Sequence, residues 1–289
     1  MLKKVIISMQ VIVLLFLLLQ PVLAVESSLR VMTFNIRYNE KNDSLNAWPN
    51  RKDQAASMIR FHKADIIGLQ EALRGQIDDL VVRLPEFGWF GVGRDDGKDA
   101  GEFSAVFYRK DRLTLLADST FWLSETPLKP ELGWDAACKR VVTLGKFKDN
   151  KTGAKFFLFN THFDHIGQVA RRESARLLLY SVAKIAGDMP VLVTGDFNST
   201  PDSEPYKILT TGEQGNKLID SKTVSKFQHH GPTTTWSGFI AAWQPDGQPI
   251  DYIFIRNNVQ VLLHGTLSDS FDGRFPSDHM PVLLECVLE

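Results

Sequence analysis

The chain has 289 residues, with 33 basic against 34 acidic side chains, 44% hydrophobic residues and two cysteines. That is the composition of a soluble globular protein able to bury a sizeable core. No Lys/Arg run longer than a pair appears beyond residue 24, which argues against a non-specific grip on long nucleic acid through many phosphate contacts.

Lys3 and Lys4 precede an apolar run from Val5 to Leu19, and Pro21 to Ala24 ends in a small residue. This is the pattern of a secretory signal peptide, with cleavage expected after Ala24. Gln10, Gln20 and Pro21 interrupt the run and disfavour the rival reading of an uncleaved anchor. The expectation is therefore a secreted or periplasmic monomer, residues 25–289, with no stable membrane association. Loss of Lys3 and Lys4 leaves 31 basic against 34 acidic residues. Cys286, in the apolar pattern VLLECVL, is expected to be a buried thiol rather than a disulfide partner of Cys138.

In chain order, residues 29–34 (LRVMTF) predict a strand that hands over to Asn35. Ala55, Met58, Ile59 and His62 predict a helix, and residues 66–69 a second strand ending in Gln70-Glu71. Ile77, Leu80, Val81 and Leu84 predict another helix, closed by Pro85. Residues 103–108 (FSAVFY) predict a strand preceded by Glu102, with weaker strands at 121–123 and 141–147. The apolar strand beginning at Phe156 breaks at Asn160-Thr161-His162-Phe163-Asp164. Ala175, Leu178, Leu179, Val182, Ile185 and Ala186 share a helical face, with Gly187 as C-cap. The strand 191–193 delivers Asp196 and Asn198 into a loop. Residues 206–248 read as helix fragments and loops; 250–255 (IDYIFI) is a strand carrying Asp251, and Asp278-His279 precede a closing strand. Mixed sheets covered by helices in one α+β domain follow from this order.

The polar residues at strand ends are oxygen and nitrogen groups without a thiol, a set suited to a hard ion such as Mg²⁺ or Mn²⁺. HExxH, CxxC, Gly-x-Ser-x-Gly and P-loop patterns are absent. Imidazoles and carboxylates beside a hard cation are common equipment for attack of water on a phosphate ester. Glu102 is a candidate to orient His162, and Arg140, close behind Trp134, to reach a phosphate bidentately. Trp48, Trp122, Trp134, Trp236 and Trp243 lie in or beside expected loops, as a stacking wall or as core.

The ordered set TFN (33–35), LQE (69–71), NTHFD (160–164), GDFN (195–198), IDY (250–252) and SDH (277–279) resembles the endonuclease/exonuclease/phosphatase superfamily, deoxyribonuclease I-like, near the deadenylases. The resemblance implies a four-layer αββα sandwich. It implies that Glu71 ligates the metal with Asn35 and Asp278 close to the ion, and that Asp196 takes the proton of the attacking water. Asn35 and Asn198 would hold the nucleophile and phosphate oxygens, His279 would pair with Asp251, and His162 would donate to a phosphate oxygen. Asp164 is expected to cap the following helix. The preferred reaction is hydrolysis of a phosphodiester in RNA or a short nucleotide, with 3′–5′ exonucleolytic cleavage as one mode. The rival enzyme reading is a phosphatase or sphingomyelinase-like activity on a small or lipid phosphoester, although only FIAAW (239–243) offers an apolar surface loop. A non-catalytic binding protein on this scaffold would have lost metal or histidine positions, and none is lost.

Overall fold

The computed structural model describes residues 27–212, 216–240, 244 and 246–289. The expected signal segment, Trp243 and most of the end of FIAAW fall outside these residues. Among the described residues no helix is long and apolar enough to cross a membrane.

Two six-stranded mixed sheets stack face to face. The first contains β1 (Leu29–Asn35), β2 (Ile66–Gln70), β3 (Phe87–Phe90), β4 (Val106–Arg109), β11 (Val259–Thr266) and β12 (Val282–Leu288), in the order β11-β12-β1-β2-β4-β3. The second contains β5 (Leu113–Trp122), β6 (Val141–Asp149), β7 (Lys155–His162), β8 (Val191–Asp196), β9 (Ile219–Asp220) and β10 (Asp251–Arg256), in the order β5-β6-β7-β8-β10-β9. Helices α1 (Trp48–Phe61) and α2 (Arg74–Arg83) cover the first sheet, and α3 (Gln168–Ala186) and α4 (Glu204–Thr211) the second. The four-layer architecture agrees with the expectation.

The strands alternate as half-buried period-2 segments must. Met32 and Phe34 of β1 face Ala55, Met58 and Ile59 of α1, while Leu29 and Val31 face inward. Phe157 and Phe159 of β7 face Ala175, Leu178 and Val182 of α3, while Phe156 and Leu158 face inward. Toward one end of the interlayer the inward positions turn polar: Thr33 and Asn35 on β1, Gln70 on β2, Asn160 and His162 on β7, Thr194 and Asp196 on β8. Asn160 crosses the gap. Its Nδ2 donates to the carbonyls of Leu69 (2.8 Å) and Ala105 (3.0 Å), and its Oδ1 accepts from Gln70 Nε2 (2.7 Å) and Thr194 Oγ1 (3.0 Å). Gly68 makes the crossing feasible, since a Cβ there would lie 2.2 Å from Thr194 Oγ1 and 2.3 Å from Asn160 Oδ1.

Several expectations change in detail. The strand expected at 103–108 is Val106–Arg109, because Phe103 instead bridges Ala72 and Gly93, and Ala105 gives its carbonyl to Leu69 N and Asn160. Strands β3 and β11 were not expected: β3 is four residues with an internal glycine, and a bulge between Val261 and Leu263 breaks the alternation of β11. Val81 and Ile185 are exposed at the margins of their helices, and His62 caps α1 while meeting Asp269 at 2.9 Å. Gly187 is the C-cap of α3, at φ 55°. Cys286 is a buried free thiol and Cys138 is also free.

A histidine pair, His264 buried and His229 half-buried, lies behind β10. His229 Nε2 donates to the Pro232 carbonyl (3.0 Å), so its Nδ1 accepts from His264 Nδ1–H (2.9 Å). Burial holds both rings below the ordinary histidine pKa, His264 at about 3.

Two predictions follow from these contacts. Gly68→Ala should lower stability by ~3 kcal/mol or more, since rigid interlayer groups must separate; a chemical denaturation midpoint equal to wild type would show that the gap can relax. The neutral His264 contributes stability that is complete above about pH 6.5, the ordinary value, and is lost as pH falls toward its folded value of about 3. Melting temperatures at pH 7.5 and 5.0 should therefore fall further for wild type than for His264→Gln.

Candidate active site

The polar end of the interlayer is assembled by register. Asp196 of β8 lies directly beside His162 of β7 and Asp251 of β10, and Asn35 of β1 beside Gln70 of β2, with Glu71 next in the chain. Asn35 joins the two half-sites: its Nδ2 donates to Glu71 Oε1 and to Asp196 Oδ2, both at 3.0 Å. The Tyr38 backbone N–H fixes the other oxygen of Glu71 at 3.1 Å. Glu71 and Asn198 sit at φ 61° and 45°, in the left-handed region. Non-glycine residues there cost conformational energy, and such strain concentrates at functional sites.

His279 Nδ1 lies 2.9 Å from Asp251 Oδ2, and its Nε2 lies 3.7 Å from Asp196 Oδ2. Burial opposes a charge on this ring, but the carboxylates of Asp251 and Asp196 outweigh it and hold its pKa well above the ordinary value. His279 is thus an imidazolium whose Nε2–H faces the site. Asp196 is pushed up to about 7, first by burial and then by the Asp251 charge beside it. Its Oδ1 accepts from Asn198 N (2.9 Å).

His162 is the opposite case. Burial, and then the charges of Arg140 and Arg94, push its pKa well down. Asn198 Nδ2, whose amide is oriented by its bond to the Phe163 carbonyl (3.0 Å), approaches His162 Nε2 at 3.1 Å. The neutral ring accepts there and carries its proton on Nδ1, which has no partner. Around it is a cul-de-sac of about 10 Å³ lined by Glu71, Arg94, Glu102, Phe103, Ser104, Arg140, Val141 and His162. Arg94 Nε and Arg140 Nη1 are buried and unpartnered beside this space. Buried donors are rarely left unpaired, so three around one small space can hold a water or an anionic oxygen.

Other expected residues are placed as follows. Glu102 approaches His162 Nδ1 only to 4.0 Å, because Arg94 Nη1 takes its carboxylate at 2.6 Å, and it makes no hydrogen bond to the imidazole. Arg140 reaches the cul-de-sac, with His165 Nδ1 accepting from its Nη2 at 3.0 Å and Asp164 Oδ2 3.5 Å from its Nε. Asp164 does not reach the site. It gathers the backbone N–H groups of Ala137, Ile166 and Gly167, which overcome burial and hold it at about 2. The side chain that caps α3 is Asp135, accepting from Val169 (3.2 Å) and Ala170 (2.6 Å). Asp278 Oδ1 accepts from Ser277 Oγ at 3.2 Å, and Oδ2 lies 3.9 Å from Arg37 Nε. Trp48 and Trp122 are buried, Trp134 is half-buried, and Trp236, bridged to His279, is exposed.

Sequence reasoning missed Arg94, Arg51 and the interlayer set Thr33, Gln70, Asn160 and Thr194. Arg51 of α1 is wholly buried and donates to the carbonyls of Ile36, Arg37 (2.8 Å) and Pro276 (3.1 Å), tying the loop after β1 to that before Asp278. Burial lowers its pKa to about 10.

Glu71, Asp196 and His279 each offer an atom within 4.8 Å of the others. Four carboxylates, those of Glu71, Asp196, Asp251 and Asp278, converge here, and burial raises both Asp196 and Asp278. Such a set of oxygen ligands fits a hard divalent cation.

The model of the endonuclease/exonuclease/phosphatase family matches residues 32–279, and the chain belongs to that family. It is similar to the endonuclease/exonuclease/phosphatase of Bacteroides vulgatus, with 42% identity and a TM-score of 0.86, covering 91% of this chain and 99% of that one. It is also similar to a mannosyl-6-phosphatase of Bacteroides thetaiotaomicron, with 36% identity and a TM-score of 0.85, covering 90% and 100%. Nocturnin of Drosophila melanogaster is 26% identical over 277 residues, 82% of this chain but 42% of that protein's length.

If Asp251 acts through His279, each of His279→Ala and Asp251→Asn should lower kcat by roughly 10²-fold or more. The double variant should be little worse than His279→Ala alone; additive losses in folded variants would give Asp251 a separate role.

Proposed function

We propose that the protein is a divalent-metal-dependent phosphoester hydrolase acting on a small phosphomonoester outside the cytoplasm. The observation that carries this reading is the cul-de-sac formed by Arg94, Arg140 and His162. It has room for a single water-sized atom, about 10 Å³, and so for an oxygen bearing no substituent. The carboxylate cluster, the His279–Asn198 side and the cul-de-sac make three separate places for non-bridging oxygens. A phosphomonoester presents three such oxygens and up to two charges, whereas a diester presents two and one. The similarity to a mannosyl-6-phosphatase favours a sugar phosphate.

In this mechanism Glu71, with Asn35 and Asp278 alongside, would hold Mg²⁺ or Mn²⁺. The ion supplies charge neutralisation at phosphate oxygens. Asp196, at about 7, is poised to take the proton of the attacking water, and Asn35 and the Asn198 backbone hold its two oxygens in place. His279, held by Asp251, offers its Nε2–H to the charge that grows on phosphate oxygens as water attacks. His162 Nδ1–H, Arg94 and Arg140 grip an oxygen already charged in the ground state.

The second reading, hydrolysis of RNA or short nucleotides, is favoured by the deadenylase-type relatives, including the CCR4-Not exoribonuclease subunit of Aspergillus oryzae, 22% identical over 326 residues. A panel of mannose 6-phosphate, p-nitrophenyl phosphate, bis(p-nitrophenyl) phosphate, poly(A) and sphingomyelin, with Mg²⁺, Mn²⁺ or chelator, separates the two. Monoesters should exceed the diester in kcat/KM by at least tenfold and chelator should abolish turnover; preferred cleavage of poly(A) would overturn the monoester assignment. Arg140→Ala should raise KM for the monoester more than it lowers kcat, because the oxygen it meets is charged before attack.

A further inference from the structure

On one side of the stack each sheet ends in an edge strand that lines a shared cleft. There β3 is the edge strand of the first sheet and β5 that of the second, so each has one row of backbone groups outside any ladder. Between them is a cleft of about 340 Å³ lined by Trp89, Phe90, Gly91, Val92, Gly97, Asp118, Thr120 and Trp122. That volume is at the lower end of small-ligand pockets, roughly 300–1,000 Å³.

The walls are built rather than loose. Asp118, Thr120 and Trp122 alternate along β5 and share a face. The opposite wall is the turn after β3, closed by Gly93 N–H to the Lys98 carbonyl (2.8 Å), Asp95 N–H to the Ala100 carbonyl (3.0 Å) and Lys139 Nζ to the Asp95 carbonyl (2.8 Å). Gly97 sits at φ 72°, and a Cβ there would lie 3.1 Å from the Trp122 ring. Its bare backbone therefore sets the width of the cleft beside the indole.

The polar groups in this cleft are available. The Asp118 carboxylate has no hydrogen bond or ion pair among the described residues, and the residue is exposed. The Thr120 hydroxyl has only a 3.4 Å contact with that of Thr143. A carboxylate, a hydroxyl and edge backbone groups beside apolar Phe90 and Val92 suit a ring with hydroxyls on its rim and a C–H face. Asp118 on the floor, with Asp95 and Asp96 on the neighbouring turn, disfavours an anion. Trp122 is 7% exposed and turned edge-on to Gly97, so it offers no open face for a cation.

The cleft is coupled to the catalytic centre by one residue. Trp122 Nε1 donates to the Arg94 carbonyl at 2.7 Å, and the Arg94 guanidinium holds Glu102 at 2.6 Å at the edge of the oxyanion cul-de-sac. We propose that this cleft is a saccharide subsite that holds a neutral sugar ring of a glycan whose phosphorylated residue occupies the catalytic centre. The proposal rests on the phosphomonoesterase reading for the identity of that second residue.

Asp118 and Thr120 stand on an edge strand away from the reacting groups, so Asp118→Ala and Thr120→Val should fold and should hydrolyse p-nitrophenyl phosphate within about twofold of wild type. Methyl α-mannoside, methyl α-glucoside, methyl β-galactoside and mannobiose are offered to the full chain in saturation-transfer NMR and calorimetry, with benzamidine as the cationic control. At least one glycoside should bind to wild type, and its affinity should fall tenfold or more in Asp118→Ala and measurably in Thr120→Val. No glycoside binding, equal binding in both variants, or binding of benzamidine alone would overturn the subsite. Monoester turnover is read separately: a protein that hydrolyses monoesters but ignores glycosides keeps the functional reading and loses the subsite, and the reverse result does the opposite.

Discussion

The amide of Asn160 is the contact on which the site depends. It stands on a strand of one sheet and spends both of its hydrogens on backbone carbonyls of the other, at Leu69 and Ala105. Those carbonyls flank the segments that present Glu71 and Glu102. A buried amide must satisfy its donors, so these two bonds fix the spacing and register of the sheets where the chemistry lies. Gly68 yields the space, and Thr194 and Gln70 complete the acceptor side. One strand further along, buried Asn35 repeats the device, holding Glu71 of one sheet and Asp196 of the other with a single nitrogen.

That scaffold holds charges together that would repel one another. Asp196 and Asp251 are cross-strand neighbours, both buried, with Glu71 and Asp278 nearby. Burial and the Asp251 charge push Asp196 up to about 7, and His279, protonated between the two carboxylates, relieves part of that repulsion. On the other flank Arg94, Arg140 and neutral His162 leave donors open. The centre is therefore divided: one side seeks a cation, the other an anionic oxygen. A phosphate bridging the two satisfies both, whereas either alone leaves buried groups uncompensated.

Much of this was legible in the chain. The six short motifs placed Asn35, Glu71, His162, Asp196, Asn198, Asp251 and His279 at strand ends, and the structure gathers them because adjacent strands in register put their ends together. The interlayer network had a readable signal too: Leu29-Val31-Thr33-Asn35, Phe156-Leu158-Asn160-His162 and Leu192-Thr194-Asp196 each run from apolar to polar at every second residue. Arg94 and Arg51 carried none, because their partners are backbone carbonyls and a carboxylate brought near by loops without periodicity. The same reason explains why Asp135, rather than Asp164, caps α3: the capping loop is 34 residues from the helix start it serves. Strands β3 and β11 escaped notice because a glycine and a bulge disturb the alternation that identifies a strand.

The most direct test of a centre that requires a cation is calorimetric titration of Mn²⁺ into chelator-treated protein, wild type beside Glu71→Gln. The substitution keeps the shape of the side chain and removes its charge. Saturable binding to wild type and a loss of affinity of tenfold or more in Glu71→Gln, with equal melting temperatures in chelator, is the result expected here. Equal affinity in the two proteins would contradict the assignment of Glu71 and with it the divided centre described above.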